Sequence, residues 1–365
     1  MLTRRAALAA LGAGLALPAR AALLRPGEGD DVALRDLASA KGLLFGAADN
    51  NFWLGRDDFA SAFARDCAIL VPEYELKRDL TEPSPGAYDF SASDRLLAFA
   101  ASHGMRFRGH PLVWYASNPP WLESAVAAAR DERIFTGYIR AAVSHYAGRM
   151  HSWDVVNEAI EIADGRADGL RDCFWLKRFG PSYIDTAFHA ARAADAKALL
   201  VYNDYGLESD TLDHDRRRAA TLRLLAGMKA RGVPVDALGL QGHITAFGPV
   251  IDQPKLARFL DEVRAMGLHI LMTEHDVDDG GGLLDIASRD AAVADASRRV
   301  LDVVLDNPAT IALLTWGLSD RYLKPDGERN ALLRGTPRSL PYDSEMRPTP
   351  MRGAIAQALR GARAR

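Results

Sequence analysis

Short apolar runs and longer amphipathic ones alternate along most of the chain. The short runs are Leu43–Ala48, Cys67–Val71, Met105–His110, Ser152–Asn157, Ala198–Asn203, Ala237–His243, His269–Glu274 and Ile311–Trp316. Their hydrophobicity hardly alternates, as expected of strands buried on both faces. Between them, Asp57–Arg65, Ser91–His103, Arg133–Arg149, Tyr183–Ala194, Leu212–Arg231, Pro254–Met266 and Ala287–Asp306 read as helices, and Met351–Arg360 closes the chain with another. Strand alternating with helix predicts βαβ units on a parallel sheet. Eight units over 365 residues point to an α/β protein built as a single-domain (β/α)8 barrel, with a doubly wound open sheet as the weaker alternative.

The N-terminus departs from this pattern. Thr3-Arg4-Arg5 precedes an apolar Ala/Leu/Gly run from Ala6 to Leu17, followed by Pro18 and the small-residue site Ala19-Arg20-Ala21. This is the pattern of a signal peptide over residues 1–21, and the run is too short to cross a bilayer as a stable helix. The paired arginines suit twin-arginine export, and a general secretory signal fits as well. The expectation is a catalytic barrel over residues 22–365, exported to the periplasm or the medium, monomeric, with no membrane anchor once the signal is removed.

Composition adds mainly exclusions. A quarter of the residues are charged and the net charge is -3, so no basic field invites nucleic acid. Cys67 and Cys173 are the two cysteines. Export would permit them to pair, and apolar surroundings would equally leave them buried and inert. Neither has a ligand-spaced neighbour, so a zinc or thiol site is not expected.

The polar residues at the strand ends carry the chemistry. Strand two runs into Glu73 and Lys77, strand three into His110 and Trp114, strand four into Asn157-Glu158, and strand five into Asn203-Asp204-Tyr205. Strand six gives Gln241 and His243, strand seven Glu274 and Asp276, and strand eight Trp316 and Asp320. In a barrel these ends converge on the face where active sites sit. Any single one is more readily a structural residue; their coincidence is what points to a site. Glu158 and Glu274 come from opposite sides of the mouth, among amides, imidazoles and indoles, without a metal-ligand spacing. Paired carboxylates, hydroxyl-binding amides and aromatic platforms are what glycoside hydrolysis needs, with neither metal nor cofactor.

From Leu43 onward the chain resembles glycoside hydrolase family 10, the retaining endo-β-1,4-xylanases. The resemblance rests on Arg108-Gly109-His110-Pro111-Leu112-Val113-Trp114, Trp153–Ala159, Tyr202-Asn203-Asp204-Tyr205, Gly239-Leu240-Gln241-Gly242-His243, Thr273-Glu274-His275-Asp276-Val277 and Trp316-Gly317-Leu318-Ser319-Asp320. It implies that Glu158 is the acid/base and Glu274 the nucleophile, with carboxyl groups about 5–5.5 Å apart. It further implies that His243, held by Asp276, orients Glu274, and that Asn157 contacts the sugar 2-OH. Lys77, His110, Trp114, Gln241 and Trp316 would line the subsite of the sugar being cleaved, with core packing the alternative for the two indoles. Asn203 joins this substrate-binding set, and Tyr205 would lie on the leaving-group side.

Several positions depart from the family's usual residues. Tyr74 stands where Asn is usual, Arg78 where Trp is usual, Tyr115 and Ser117 where His and Gln are usual, and Lys324 near the place of a second Trp. Together they suggest a remodelled distal subsite with added positive charge, suited to a decorated or acidic β-glycan such as a bacterial exopolysaccharide. Drift in an enzyme that still cuts xylan is the plainer account. A non-catalytic glycan-binding barrel would need a broken catalytic set, and Glu158, Glu274, Asn157 and His243 are all present.

Overall fold

The computed structural model describes residues 32–129, 131–280, 284–322 and 336–365. Eight parallel strands form a closed ring. They are β1 Leu44–Asp49, β2 Ile69–Pro72, β3 Arg106–Gly109, β4 Ser152–Asn157, β5 Leu199–Asp204, β6 Ala237–Leu240, β8 His269–Asp278 and β9 Thr310–Thr315, while β7, His243–Thr245, is a short extra strand. Neighbours in sequence pair around the ring, β9 returns to β1, and β6 pairs directly with β8 to close it. The long helices Asp57–Asp66, Ser91–Ser102, Arg133–His145, Ser182–Ala194, Leu212–Ala230, Gln253–Ala265, Ile286–Asp306 and Pro350–Gly361 follow the strands as the periodicity predicts. Short helices such as Leu34–Ser39, Leu122–Ala128 and Phe174–Phe179 escaped that reading, because fewer than two turns leave no periodic signature.

Alternation along each strand divides the core in two. Outward residues such as Phe107, Trp153, Leu200, Tyr202, Ile270 and Met272 belong to the large cluster under the helices. Ala48, Ile69, Val71, Val201, Ala237, Leu271, Ala312 and Leu314 form a second, smaller cluster. On β3 and β4 the residues in register with that second cluster are charged: Arg108 and Asp154 meet as a fully buried two-pronged ion pair. Gly109, next to Arg108, leaves room for the Trp153 ring, which a Cβ there would meet at 2.1 Å.

The predicted strand Ala237–His243 is in fact two. Gly242 turns the chain at φ 82°, and β7 then pairs with β8 so that His243 lies opposite Asp276. Away from the mouth, a buried cluster fastens the two ends of the fold. Arg352 of the last helix grips Asp66 at 2.8 and 2.9 Å and donates to the Val32 carbonyl, and Tyr342 Oη donates to Asp66. Arg365 N–H donates to the Lys41 carbonyl, just before β1. Cys67 and Cys173 are both free, with burial pushing each thiol upward in pKa. Among the described residues no helix is long and apolar enough to cross a membrane. The signal-like segment 1–21 lies outside the described residues.

Candidate active site

The C-terminal ends of β4, β5, β6 and β8 bring the carboxylates together through a chain of amides. Asn157 and Asn203 are register partners on β4 and β5, and Asn203 pairs with Gly239 on β6. Asn203 Nδ2 donates to Glu274 Oε1 at 2.7 Å and to Asn157 Oδ1 at 2.9 Å, while Thr273 Oγ1 donates to Asn203 Oδ1 and so fixes which way the amide faces. Glu158 Oε1 accepts from Asn157 Nδ2 at 3.1 Å and from Gln241 Nε2 at 3.0 Å. Both carboxylates are largely buried. A register shift in β8 between Met272 and His275 re-aims Glu274.

Glu158 itself stands at φ 58°, in the left-handed region. A non-glycine residue there costs roughly 1–3 kcal/mol, and such strain persists only where surrounding contacts fix it. Here its N–H donates to the Asn203 carbonyl, its own carbonyl accepts from Arg171 Nε at 2.8 Å, and Ile160 N–H is held by Asp204 Oδ2. The turn aims the side chain back over the mouth instead of along the strand.

Glu274 is surrounded by imidazoles. His243 Nε2 lies 3.2 Å from Glu274 Oε2, and its Nδ1 lies 2.9 Å from Asp276 Oδ1. Burial pulls the His243 pKa down, but Asp276 and then Glu274 outweigh it and lift it well above the ordinary value. Burial pushes Glu274 up, and His110 and His243 overcome that effect, so its carboxyl sits below the usual range and is ionised. His110 in turn is held by Asp154 at 2.8 Å. His110, Asp154 and Glu274 converge closely enough to suggest a cation site. Arg108 occupies both Asp154 oxygens, so the donor set is already committed to hydrogen bonds.

The aromatic wall is built around Lys77. Its ammonium lies 4.7 Å from the Tyr74 ring centre, 5.4 Å from Trp114 and 5.9 Å from Trp316, a cation cage of the kind that also packs sugar faces. Burial lowers the Lys77 pKa against the pull of Glu73 and Glu274. The Trp316 ring meets His110 and His243 edge to face, and it also packs on the small strand cluster, so it is both wall and buttress. Trp114 is half-buried beside Tyr115.

The structure brings Glu158, Glu274, His243, Asp276, Asn157, Asn203, Gln241, His110, Lys77, Trp114 and Trp316 to one mouth. Tyr205 lies at its edge, with its hydroxyl donating to Glu161 at 2.6 Å. Tyr74 and Tyr115 are at the rim and exposed. Ser117 adopts φ 49° and its carbonyl accepts from Asp79 N–H, so it shapes a turn. Arg78 corrects the expectation of free positive charge in the distal subsite. Its side chain is 4 % exposed, with the guanidinium paired with Glu82 and the Ile134 carbonyl and packed against Tyr138, Trp121 and Trp175. An arginine in the family's tryptophan position has folded inward onto aromatic neighbours and found an acid there. Lys324 lies outside the described residues. Asp320 is structural: its Oδ1 accepts the Ser339 and Leu340 N–H groups. Sequence reasoning missed Thr273, Asp154 and Arg171. The first two lie inside recognised motifs, whereas Arg171 gives no signal of its own, since it reaches Glu158 through a main-chain carbonyl.

The profile of Glycosyl hydrolase family 10 matches residues 33–358. Endo-1,4-beta-xylanase B of Thermotoga neapolitana is 31% identical over 335 residues, covering 90% of this chain and 92% of that protein. Endo-1,4-beta-xylanase A of a Caldicellulosiruptor species is 33% identical over 69% of this chain, which spans 38% of that longer protein. Among solved structures, native xylanase 10B from Thermotoga maritima superposes with a TM-score of 0.78 at 31% identity, covering 90% of this chain and 98% of that one. Xylanase 10B from Thermotoga petrophila in complex with xylobiose gives 0.78 at 30% identity, covering 91% and 98%. With its closed barrel and its paired carboxylates at the C-terminal ends of β4 and β8, the chain belongs to glycosyl hydrolase family 10.

Proposed function

We propose that the protein is an endo-β-1,4-xylanase that cuts internal bonds of xylan-type polysaccharide with retention of configuration. The observation that carries this is the contrast between its two carboxylates. Glu274 is held ionised between imidazoles, while Glu158 projects from a left-handed turn and is met by neutral amides. In the first step the Glu274 carboxylate attacks the anomeric carbon as the C–O bond breaks, and Glu158 gives its proton to the departing oxygen. Water then attacks the glycosyl ester, Glu158 takes a proton from it, and the ester bond breaks to free Glu274. Asn157 is assigned the sugar 2-OH, and Lys77, His110, Trp114, Gln241 and Trp316 the sugar being cleaved, because they surround that carboxylate pair. Asn203 serves mainly to hold Glu274, and Tyr205 faces the leaving group. The xylanase names of the relatives support the substrate class.

The test is product analysis on xylan with proton NMR of the first anomer formed. Retention and a ladder of short oligosaccharides are expected, and an inverted first product would overturn the mechanism. Glu274→Ala should lose turnover by a factor on the order of 10⁴. Near wild-type activity in that variant would remove Glu274 as nucleophile. Export follows from Arg4-Arg5 and the apolar run behind them. N-terminal sequencing of protein recovered outside the cytoplasm should begin near Ala22, and recovery of intact Met1 would refute it.

A further inference from the structure

We propose that Arg171 is a positioning residue for the acid/base carboxyl of Glu158, holding its left-handed main chain from behind while two tyrosines fix the guanidinium. The inference rests on the assignment of Glu158 given above. Glu158 departs from the strand at φ 58°, so its side chain stays in place only while its peptide is held. Arg171 holds that peptide directly, Nε to the Glu158 carbonyl at 2.8 Å, and its own N–H donates to the Ala159 carbonyl.

The guanidinium is itself clamped. It lies 4.0 Å over the Tyr115 ring centre, its Nη2 donates to Tyr205 Oη at 2.9 Å, and the same nitrogen lies 3.2 Å from the Glu161 carboxylate. Arg217 supports the arrangement from the far side, donating to the Ile160 carbonyl and to Glu161, with its guanidinium 4.2 Å over Tyr205. A planar fork that stacks and donates in its own plane suits this place, and an ammonium cannot copy it. Tyr115 links the clamp to the reacting group: burial raises the pKa of its phenol, and the charge of the Glu158 carboxylate raises it further. Arg171 touches no reacting atom. It acts through Glu158, and its loss should weaken proton donation while leaving the nucleophile intact.

Leaving groups separate these effects. Dinitrophenolate departs from a dinitrophenyl β-xylobioside without a proton, whereas the sugar that leaves a xylo-oligosaccharide needs one. In Arg171→Met, kcat/KM on xylopentaose should fall about 100-fold, the loss expected of a misplaced catalytic group. On the dinitrophenyl glycoside kcat/KM should stay within about threefold of wild type, and added azide should raise kcat by replacing the base-assisted water. Equal losses on both substrates, or no loss on either, would overturn the proposal. Arg171→Lys, which keeps charge without the fork, should resemble Arg171→Met; full activity in the lysine variant would refute the clamp, and it remains decisive should the methionine variant fail to fold. Glu158→Ala run in parallel checks the underlying assignment. If it lacks the leaving-group selectivity and azide response, that assignment fails; if it shows them and the Arg171 variants do not, the positioning role alone is lost.

Discussion

His243 shows how much of the chemistry depends on one charge placed beside another. Glu274 is buried deeply enough that burial alone would raise its pKa, and His110 and then His243 lead the effects that bring it below the ordinary range. A carboxylate with a depressed pKa keeps its ionised form as pH falls, and activity that depends on it is lost only when pH drops through that depressed value. Removing one cation therefore moves the limb upward. His243→Ala should shift the acid limb of kcat/KM up by about one pH unit. A pH–rate profile that keeps its acid limb in place would show that His243 does not set the charge of Glu274. Asp276→Asn should move the same limb less, because it removes only the acid behind the imidazole.

At the scale of the element, the decisive feature is how closely neighbouring strands approach where β4, β5 and β6 finish. Gly239 on β6 lies so near Asn203 that a Cβ would meet its Oδ1 at 2.2 Å. Gly239→Ala should therefore tilt the amide that donates to Glu274. Overpacking of this kind costs roughly 1–3 kcal/mol, and here activity should fall further than the melting temperature suggests. Crystals of the variant would show the displaced Asn203, and unchanged kcat with an unchanged amide would refute the coupling. The strands themselves were legible, because burial on both faces leaves a continuous apolar run and the polar residue that ends it stands out. The break of one predicted strand into β6 and β7 was not, since nothing in Ala237–His243 announces that Gly242 turns at φ 82°. Arg78 illustrates the same limit. A charge in the sequence does not say whether it faces a cleft or an internal Glu82, and that choice was made by Tyr138, Trp121 and Trp175 in three dimensions. Arg171 was invisible for the complementary reason: it serves a backbone oxygen, which every residue carries.

At the scale of the molecule, two buried devices govern stability. Asp320 is nearly inaccessible and its pKa rises to about 8, chiefly through burial, against an ordinary value of 3.8. Its raised value means that the neutral form favours the fold, so this contribution is full below about pH 4 and lost as pH climbs through 8. Asp204, lifted to about 7 by burial, acts in the same direction. The melting temperature should decline across that window. Asp320→Asn, which keeps the oxygen that accepts from Ser339 and Leu340, should flatten the decline when followed by calorimetry, and an unchanged slope would exclude Asp320. The second device is the Asp66–Arg352 pair. Breaking it in Arg352→Met strands a buried carboxylate and should cost about 3–5 kcal/mol, lowering the midpoint by roughly 4–7 °C.

That tie also sets which way the molecule can be handled. Arg365 rests beside Lys41, ahead of β1, at the floor of the barrel, while the carboxylates open through its roof. A carrier or solid support attached at Arg365 would sit beneath the enzyme and leave the catalytic opening turned toward an insoluble chain. Coupling through the rim at Tyr74 would do the reverse and seat the anchor over Lys77.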